Sequence, residues 1–185
     1  MDSSYRIDPV DRVVSVDAGW IAFAEANRAP GLPQRTIGRS IWMFVSNPIV
    51  RELYRSVFRR VRTSQQRVDV PFRCDSPEVR RFMTLAVCPA DAQRGTLDCQ
   101  VTLLREELQP AAARALYEAM GVGASEWHVV NALTVCSWCK RVEVDGWCEI
   151  DEALERRPTL LTKPVQPITH GVCESCERIV LVALH

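Results

Sequence analysis

Residues 47–74, NPIVRELYRSVFRRVRTSQQRVDVPFRC, contain the two periodicities that decide the fold class. Asn47 followed by Pro48 is typical of a helix start, because asparagine caps free amides and proline fits the first helical position. Apolar residues then recur at intervals of three and four, which predicts a helix with one buried face: Val50, Leu53, Tyr54, Val57, Phe58 and Val61. From Arg67 to Cys74 the period changes to two, as in a strand with one face on a core. A helix and a strand in one stretch predict an α+β domain.

Two more strand patterns follow, over residues 79–88 and 96–103. Short turns with Asp75-Ser76-Pro77 and Arg94-Gly95 separate the three patterns, which predicts an antiparallel meander. Pro71 cannot donate a hydrogen bond to a neighbouring strand. It therefore predicts an edge position or a bulge for the first of these strands.

On the N-terminal side, residues 12–16 (RVVSV) read as a short strand. Asp17 can cap a following helix that runs to Asn27 and buries apolar residues at helical spacing. These residues are Trp20, Phe23 and Ala24. A turn-rich stretch over 29–38 separates this helix from the longer one.

On the C-terminal side, Pro110 and the alanine-rich run to Met120 predict a connecting helix. Short apolar runs with paired cysteines follow, with a small helix predicted over 151–156. We therefore expect a first domain over 1–107, a connecting segment over 108–127 and a four-cysteine module over 128–185.

The paired cysteines predict a metal site. Cys136-Ser-Trp-Cys139 and Cys173-Glu-Ser-Cys176 are two C-x-x-C pairs, and two such pairs complete a tetrahedral set of thiolates. The long segment between them can be accommodated because loop-closure entropy grows slowly with length. Lys140, Arg141 and Arg178 lie beside the pairs and could offset the negative charge of four thiolates. We expect structural zinc in a small module like a zinc ribbon or a treble clef, with an iron–sulfur cluster as the alternative.

His170, three residues before Cys173, could replace one thiolate, or serve as a hydrogen-bond donor to a ligand or as a turn residue. Covalent haem would need histidine directly after a pair, where Lys140 and Glu177 stand instead. The remaining cysteines are most simply small apolar core residues: Cys74, Cys88, Cys99 and Cys148.

The order of elements in the first domain resembles a PAS domain, the sensory fold common in bacterial signalling. The resemblance lies in V13-V14-S15-V16 through N27, in I37-G38-R39-S40-I41-W42, and in the strands that contain F72-R73-C74-D75-S76-P77 and R80-R81-F82-M83. The tail, C-S-W-C-K-R-V to H-G-V-C-E-S-C, is similar to a cysteine-rich segment that follows sensory domains in some bacterial regulators.

The resemblance implies a five-stranded antiparallel sheet with helices over one face, enclosing a pocket that holds a ligand or is packed core. Trp42, Phe58, Phe72 and Phe82 are the candidate pocket residues. The three histidines, His128, His170 and His185, lie outside this domain, and the reactive-cysteine helix of flavin photoreceptors is missing. Haem ligated by histidine and photoreactive flavin are therefore not expected.

Composition limits the function classes. The 185 residues contain 23 Lys plus Arg and 23 Asp plus Glu, so no net charge attracts the chain to nucleic acid or an anionic membrane. The N-terminus lacks the pattern of a secretory signal, and no apolar run approaches the length of a membrane span. We expect a cytoplasmic protein with reduced thiols.

Three functions compete, and an iron–sulfur cluster in place of zinc would make the protein a redox sensor instead. The first is a non-enzymatic regulatory protein, in which sensing or homodimerisation by the first domain is coupled to a zinc module that binds a partner protein. The second is nucleic-acid binding through the arginines of the long helix: Arg51, Arg55, Arg59, Arg60 and Arg62. The zero net charge of the chain does not favour this function. An enzyme is not expected, because no phosphate-binding glycine loop, nucleophile elbow or H-E-x-x-H helix occurs.

Overall fold

The computed structural model describes residues 2–27, 29–45, 47–91, 95–115, 133–161 and 168–184. The chain divides into two compact units, each described separately below. The first comprises Met1–Phe72, Met83–Leu104 and Glu177–His185, and the second comprises Arg73–Phe82 and Arg105–Cys176. The predicted domain boundaries at 107 and 127 stay predictions, and the second falls among residues outside the described ranges.

The main sheet has five antiparallel strands, which confirms the predicted α+β class. Its order is β2-β1-β5-β4-β3, from β1 (Ser3–Ile7), β2 (Val13–Val16), β3 (Val68–Arg73), β4 (Val79–Asp91) and β5 (Thr96–Leu108). The meander β3–β4–β5 is present as predicted. β3 lies at the edge, where the ring nitrogen of Pro71 breaks no internal ladder of the sheet.

Strand β1 is absent from the sequence-based prediction. It pairs with both β2 and β5, so that Tyr5 lies opposite Val16 on one side and Cys99 on the other. Ile7 is fully buried. Only these two apolar side chains mark the strand, among serine and arginine, which is too short a pattern to recognise from sequence.

Three helices precede β3: α1 (Ala18–Ala26), α2 (Leu32–Thr36) and α3 (Pro48–Ser64), with a 3-10 turn at Ile41–Met43. Asp17 caps α1 by accepting from the Trp20 amide, as predicted. Asn47 caps α3 by accepting from the amides of Ile49 and Val50. The predicted buried face of α3 is confirmed at Val50, Leu53, Val57, Phe58 and Val61, whereas Tyr54, predicted for the same face, is half-buried.

The second unit contains a small sheet of order β8-β7-β6-β9, from β6 (Leu133–Cys136), β7 (Val142–Glu143), β8 (Trp147–Cys148) and β9 (Ile168–Gly171). β6 and β9 are parallel, and Cys136 lies opposite Gly171. Residues 111–115 are helical and are labelled α4, whereas the remainder of the predicted connecting helix, to Met120, lies outside the described residues. The predicted helix at 151–156 is α5 (Ile150–Arg156). The last helix, α6 (Glu174–Ala183), begins in the second unit, and its residues from Glu177 onward belong to the first.

An apolar core supports the small sheet. It combines strand residues with the buried face of α5 and residues on either side: Ala113, Leu133, Val135, Val142, Val144, Cys148, Ile150, Ala153, Leu154 and Leu160. Within the described ranges, none of the helices combines the length and apolarity that a membrane crossing requires.

Candidate metal centre

The first cysteine pair lies on the tight turn between β6 and β7. The amide of Cys136 donates to the carbonyl of Arg141 at 2.7 Å, and the amide of Lys140 donates back to the carbonyl of Cys136 at 3.0 Å. Lys140 completes the turn with a positive φ of 62°, in the left-handed region that side chains other than glycine rarely adopt. These bonds hold Cys136 and Cys139 on the same side of one turn.

The second pair lies at the start of α6. Cys173 directly precedes this helix, and Cys176 is in its first turn, where free amides and the helix dipole favour a thiolate. The parallel pairing of β9 with β6 places the residues that follow β9 beside the first cysteine pair. The amide of Ser137 donates to Gly171 at 2.9 Å, and the amide of Cys173 donates to the Cys136 sulfur at 3.4 Å.

The four sulfur atoms converge on one point. Those of Cys136, Cys139, Cys173 and Cys176 all lie within 4.8 Å of one another, and those of Cys139 and Cys173 are 3.7 Å apart. Zinc–thiolate bonds of about 2.3 Å in a tetrahedron place neighbouring sulfurs about 3.8 Å apart. The predicted set of four cysteines is therefore brought together in a geometry that could hold a metal ion.

The thiols are strongly coupled. Hydrogen bonds from Cys139 and Cys176 lower the pKa of Cys136, so Cys136 loses its proton first. The same contacts raise the pKa of Cys139 to about 12 and also raise the pKa of Cys176, because the proton on each of these thiols is hydrogen-bonded to a neighbouring thiolate. Four sulfurs this close need a cation before all of them can be thiolates.

His170 lies in β9 opposite Val135, and the cluster of four sulfurs does not include it. Of the other cysteines, Cys99 and Cys148 are buried, whereas Cys74 and Cys88 are half-buried. Among the flanking cations, Lys140 donates to the carbonyl of Ser137 at 2.8 Å and Arg141 pairs with Glu149 at 3.3 Å. Arg178 is exposed on α6.

A buried charged cluster next to the first pair was absent from the sequence-based prediction. Arg73, at the end of β3, binds Asp75 and also Glu149, the latter at 2.8 Å. Its side chain is 7% exposed and that of Asp75 is 1% exposed. Burial alone would lower the pKa of Arg73, but its hydrogen bonds to both carboxylates outweigh burial and raise it. Arg73 is therefore a permanent buried cation.

This cluster is joined to the turn that holds the first pair. The amide of Arg73 donates to the carbonyl of Trp138, between Cys136 and Cys139, at 2.6 Å. Glu149 binds Arg73 through one oxygen and Arg141, at the end of the same turn, through the other. The turn is thus fixed by the main chain of β3 on one side and by a shared carboxylate on the other.

The remaining polar groups of the cluster are also paired. Arg80 binds Asp151 and Gln109, each at 2.9 Å. Buried Gln109 in turn donates to Asp75 at 3.3 Å. Burying these charges is compatible with a stable unit because their hydrogen bonds are satisfied within it.

The first unit encloses a cavity of about 280 Å³. Half of its lining is aromatic: Tyr5, Trp20, Trp42, Phe44, Tyr54 and Phe58. Of the candidate pocket residues, Trp42 and Phe58 line it, with ring centres 5.6 Å apart. Phe72 and Phe82 are not among its lining residues. Phe82 instead contacts the guanidinium of Arg105 at 3.9 Å.

Two buried acids of this unit predict alkaline destabilisation. Burial raises the pKa of Tyr54 to about 12, and it likewise raises that of Cys99 to about 12. Unfolded tyrosine and cysteine ionise near pH 10 and 8.5, which is about 2 and about 3.5 units lower. Stability from these groups is complete below about pH 8.5 and is lost as the pH rises towards 12, because only the unfolded chain can ionise them.

We expect tyrosinate absorbance at 295 nm to appear together with the loss of helical circular dichroism. Tyr54→Phe should reduce the pH dependence of the free energy of unfolding above pH 10. Ionisation of Tyr54 near pH 10 in protein that stays folded would contradict the burial argument.

Compared with known proteins, the chain matches no protein-family model and no curated sequence.

Proposed function

We propose that this chain is a non-enzymatic regulatory protein whose four-cysteine module holds structural zinc and presents a surface to a partner protein. The observation that carries the proposal is the convergence of the four thiols from a tight turn and a helix start. A donor set of four cysteines fills the tetrahedral coordination of zinc. It leaves no open position for water or substrate, which supports a structural role over a catalytic one.

The sulfur spacing supports a single ion over an iron–sulfur cluster. A cluster places its own irons and sulfides between the cysteine ligands, so these ligands must stand farther apart than ligands of one ion. Separations within 4.8 Å, with one of 3.7 Å, suit one central ion. One pair on a strand turn and the other at a helix start favour the treble-clef arrangement over a ribbon.

Helix α6 is the surface that we assign to the partner. Its first turn holds Cys176, and the following turns expose Ile179, Leu181 and Val182. Exposed apolar residues grouped on one helix are typical of interaction sites. A metal at Cys176 would fix the start of this helix and so its presentation.

Sensing or homodimerisation through a PAS-like first domain belongs to the same proposal. The five-stranded antiparallel sheet and the cavity agree with what the resemblance to PAS domains implies. A reducing cytoplasm suits eight free thiols, four of which are poised for metal.

Nucleic-acid binding through α3 has weaker support. Arg51 donates to the carbonyls of Trp42 and Val45, and Arg62 binds Asp11 together with the carbonyls of Asp8 and Gly95. These two arginines stabilise the fold, so they do not form a phosphate-binding stripe with the others.

A comparative capture experiment tests the proposed function. Immobilised wild-type protein should retain a defined partner from an extract of its own cells, whereas Cys173→Ser and Ile179→Asp should each reduce retention at least about tenfold. Glu25→Lys, at an exposed position on α1, is the matched surface control. Equal retention by wild type and both variants, or no retention by wild type, would contradict the proposal.

A further inference from the structure

The cavity of the first unit has the features of a ligand site. It is partly open to solvent, and Phe44, one of its lining residues, is 48% exposed. The other walls are aromatic rings and the aliphatic side chains Val13, Val16, Leu32, Ile41 and Val45. An enclosed aromatic wall with an opening is typical of sites for small molecules.

No charged side chain is among the described lining residues. The nearest acid shown by the hydrogen bonds is Asp11, which accepts from the indole nitrogen of Trp42 at 3.0 Å and is neutralised by Arg62 at 2.8 Å. A charged ligand would therefore lose its hydration without gaining an opposite charge.

Three of the lining residues contain a hydroxyl group, and that of Tyr5 is hydrogen-bonded to Cys99. Thr36 donates to the carbonyl of Leu32 at 2.7 Å, which leaves its oxygen able to accept. Burial keeps the phenols of Tyr5 and Tyr54 neutral, since it raises the pKa of each. Neutral hydroxyls can orient one polar group of a ligand but cannot balance a charge.

The volume limits the ligand's size. Engineered apolar cavities of about 150 Å³ hold benzene, so about 280 Å³ suits one or two rings. A porphyrin, or a flavin with its side chain, is too large. We propose that this cavity binds a neutral, largely apolar compound of one or two rings that carries at most one hydroxyl or carbonyl group. The sensory role of this cavity rests on the proposed regulatory function, whereas its ability to bind the compound does not.

The test uses isothermal titration calorimetry of the full chain with 2-naphthol and its charged relative 2-naphthoate. We expect 2-naphthol to bind one site per chain, with a Kd at least about tenfold lower than that of 2-naphthoate. Val16→Phe fills the cavity from β2 and should weaken 2-naphthol binding at least about tenfold. Val14→Phe is the matched control, because Val14 lies on the same strand, is exposed and is not among the lining residues.

Circular dichroism must show that Val16→Phe is folded, and Leu32→Phe replaces it if it is not. Absence of saturable 2-naphthol binding, equal binding of 2-naphthoate, or unchanged binding by a folded cavity-filling variant would overturn the proposal. If 2-naphthol fails to bind protein that captures its partner, the cavity proposal fails alone. If it binds to protein that captures no partner, only the proposed function fails.

Discussion

Replacing Cys173 by serine is expected to release the metal and unfold the small sheet of the second unit. Structural zinc contributes about 10–16 kcal/mol to the folding of small modules, and a serine hydroxyl is a poor substitute for a thiolate. Cys173 is buried, and its main-chain amide donates to the Cys136 sulfur. Unfolding around position 173 therefore also breaks this contact. Hydrogen exchange read by mass spectrometry should show loss of protection in β6, β7 and β9, while α3 keeps its protection.

Cys148→Ala is the matched control for this substitution. Cys148 is also a buried cysteine of the second unit, but it lies outside the cluster and its thiol makes only long contacts of 3.8 Å to the carbonyls of Val142 and Val144. We expect it to keep its metal and to lose about 1–2 kcal/mol. Full protection of β6 and β9 in Cys173→Ser, or equal effects of the two variants, would contradict a structural metal site.

Arg73→Ala is expected to reduce the free energy of unfolding by about 3–5 kcal/mol, because it removes the cation that is hydrogen-bonded to the buried Asp75 carboxylate. Asp75 keeps Gln109 as a side-chain partner, but a neutral amide does not balance its charge. Since folded domains are stable by only about 5–15 kcal/mol, this is a large fraction of the total. Urea denaturation followed by circular dichroism measures the loss.

Arg67→Ala provides the comparison on the same strand region. Arg67 binds Asp69 with the same charge types, but the side chains are 56% and 47% exposed. We expect no measurable loss of stability there, because water and salt screen an exposed ion pair. The double variant Arg73→Ala/Asp75→Ala should lose less than the sum of its single variants, because both buried charges of the pair are then removed together. A loss below about 1 kcal/mol for Arg73→Ala would show that burial does not strengthen this pair.

The sequence predicted those parts of the fold in which neighbouring residues contain the signal. The spacing of Val50, Leu53, Val57 and Val61 identified α3, and Pro71 indicated that β3 lies at an edge. The four cysteines were recognisable because each C-x-x-C pair already has the local geometry of a metal-binding turn. Strand β1 was missed because Tyr5 and Ile7 alone do not establish a period of two.

Features that depend on distant partners could not be predicted in this way. Arg73 and Glu149 are 76 positions apart, and alternation along β3 places Arg73 on the face opposite Val68 and Val70, as a solvated residue would be. Its burial follows from the carboxylates that surround it, which no local pattern reveals. Similarly, the sequence identified Trp42 and Phe58 as apolar, but the lining by Tyr5 and Val16 depends on the pairing of β1 with β2.

The most direct test of the central claim is the metal content of the purified chain, measured by elemental analysis together with its visible absorption spectrum. We predict one zinc per chain, no visible absorption band, and loss of that zinc in Cys173→Ser but not in Cys148→Ala. Iron with a thiolate-to-metal charge-transfer band would identify a redox centre instead, and a folded, metal-free wild-type protein would contradict the proposal that these four thiols hold a structural ion.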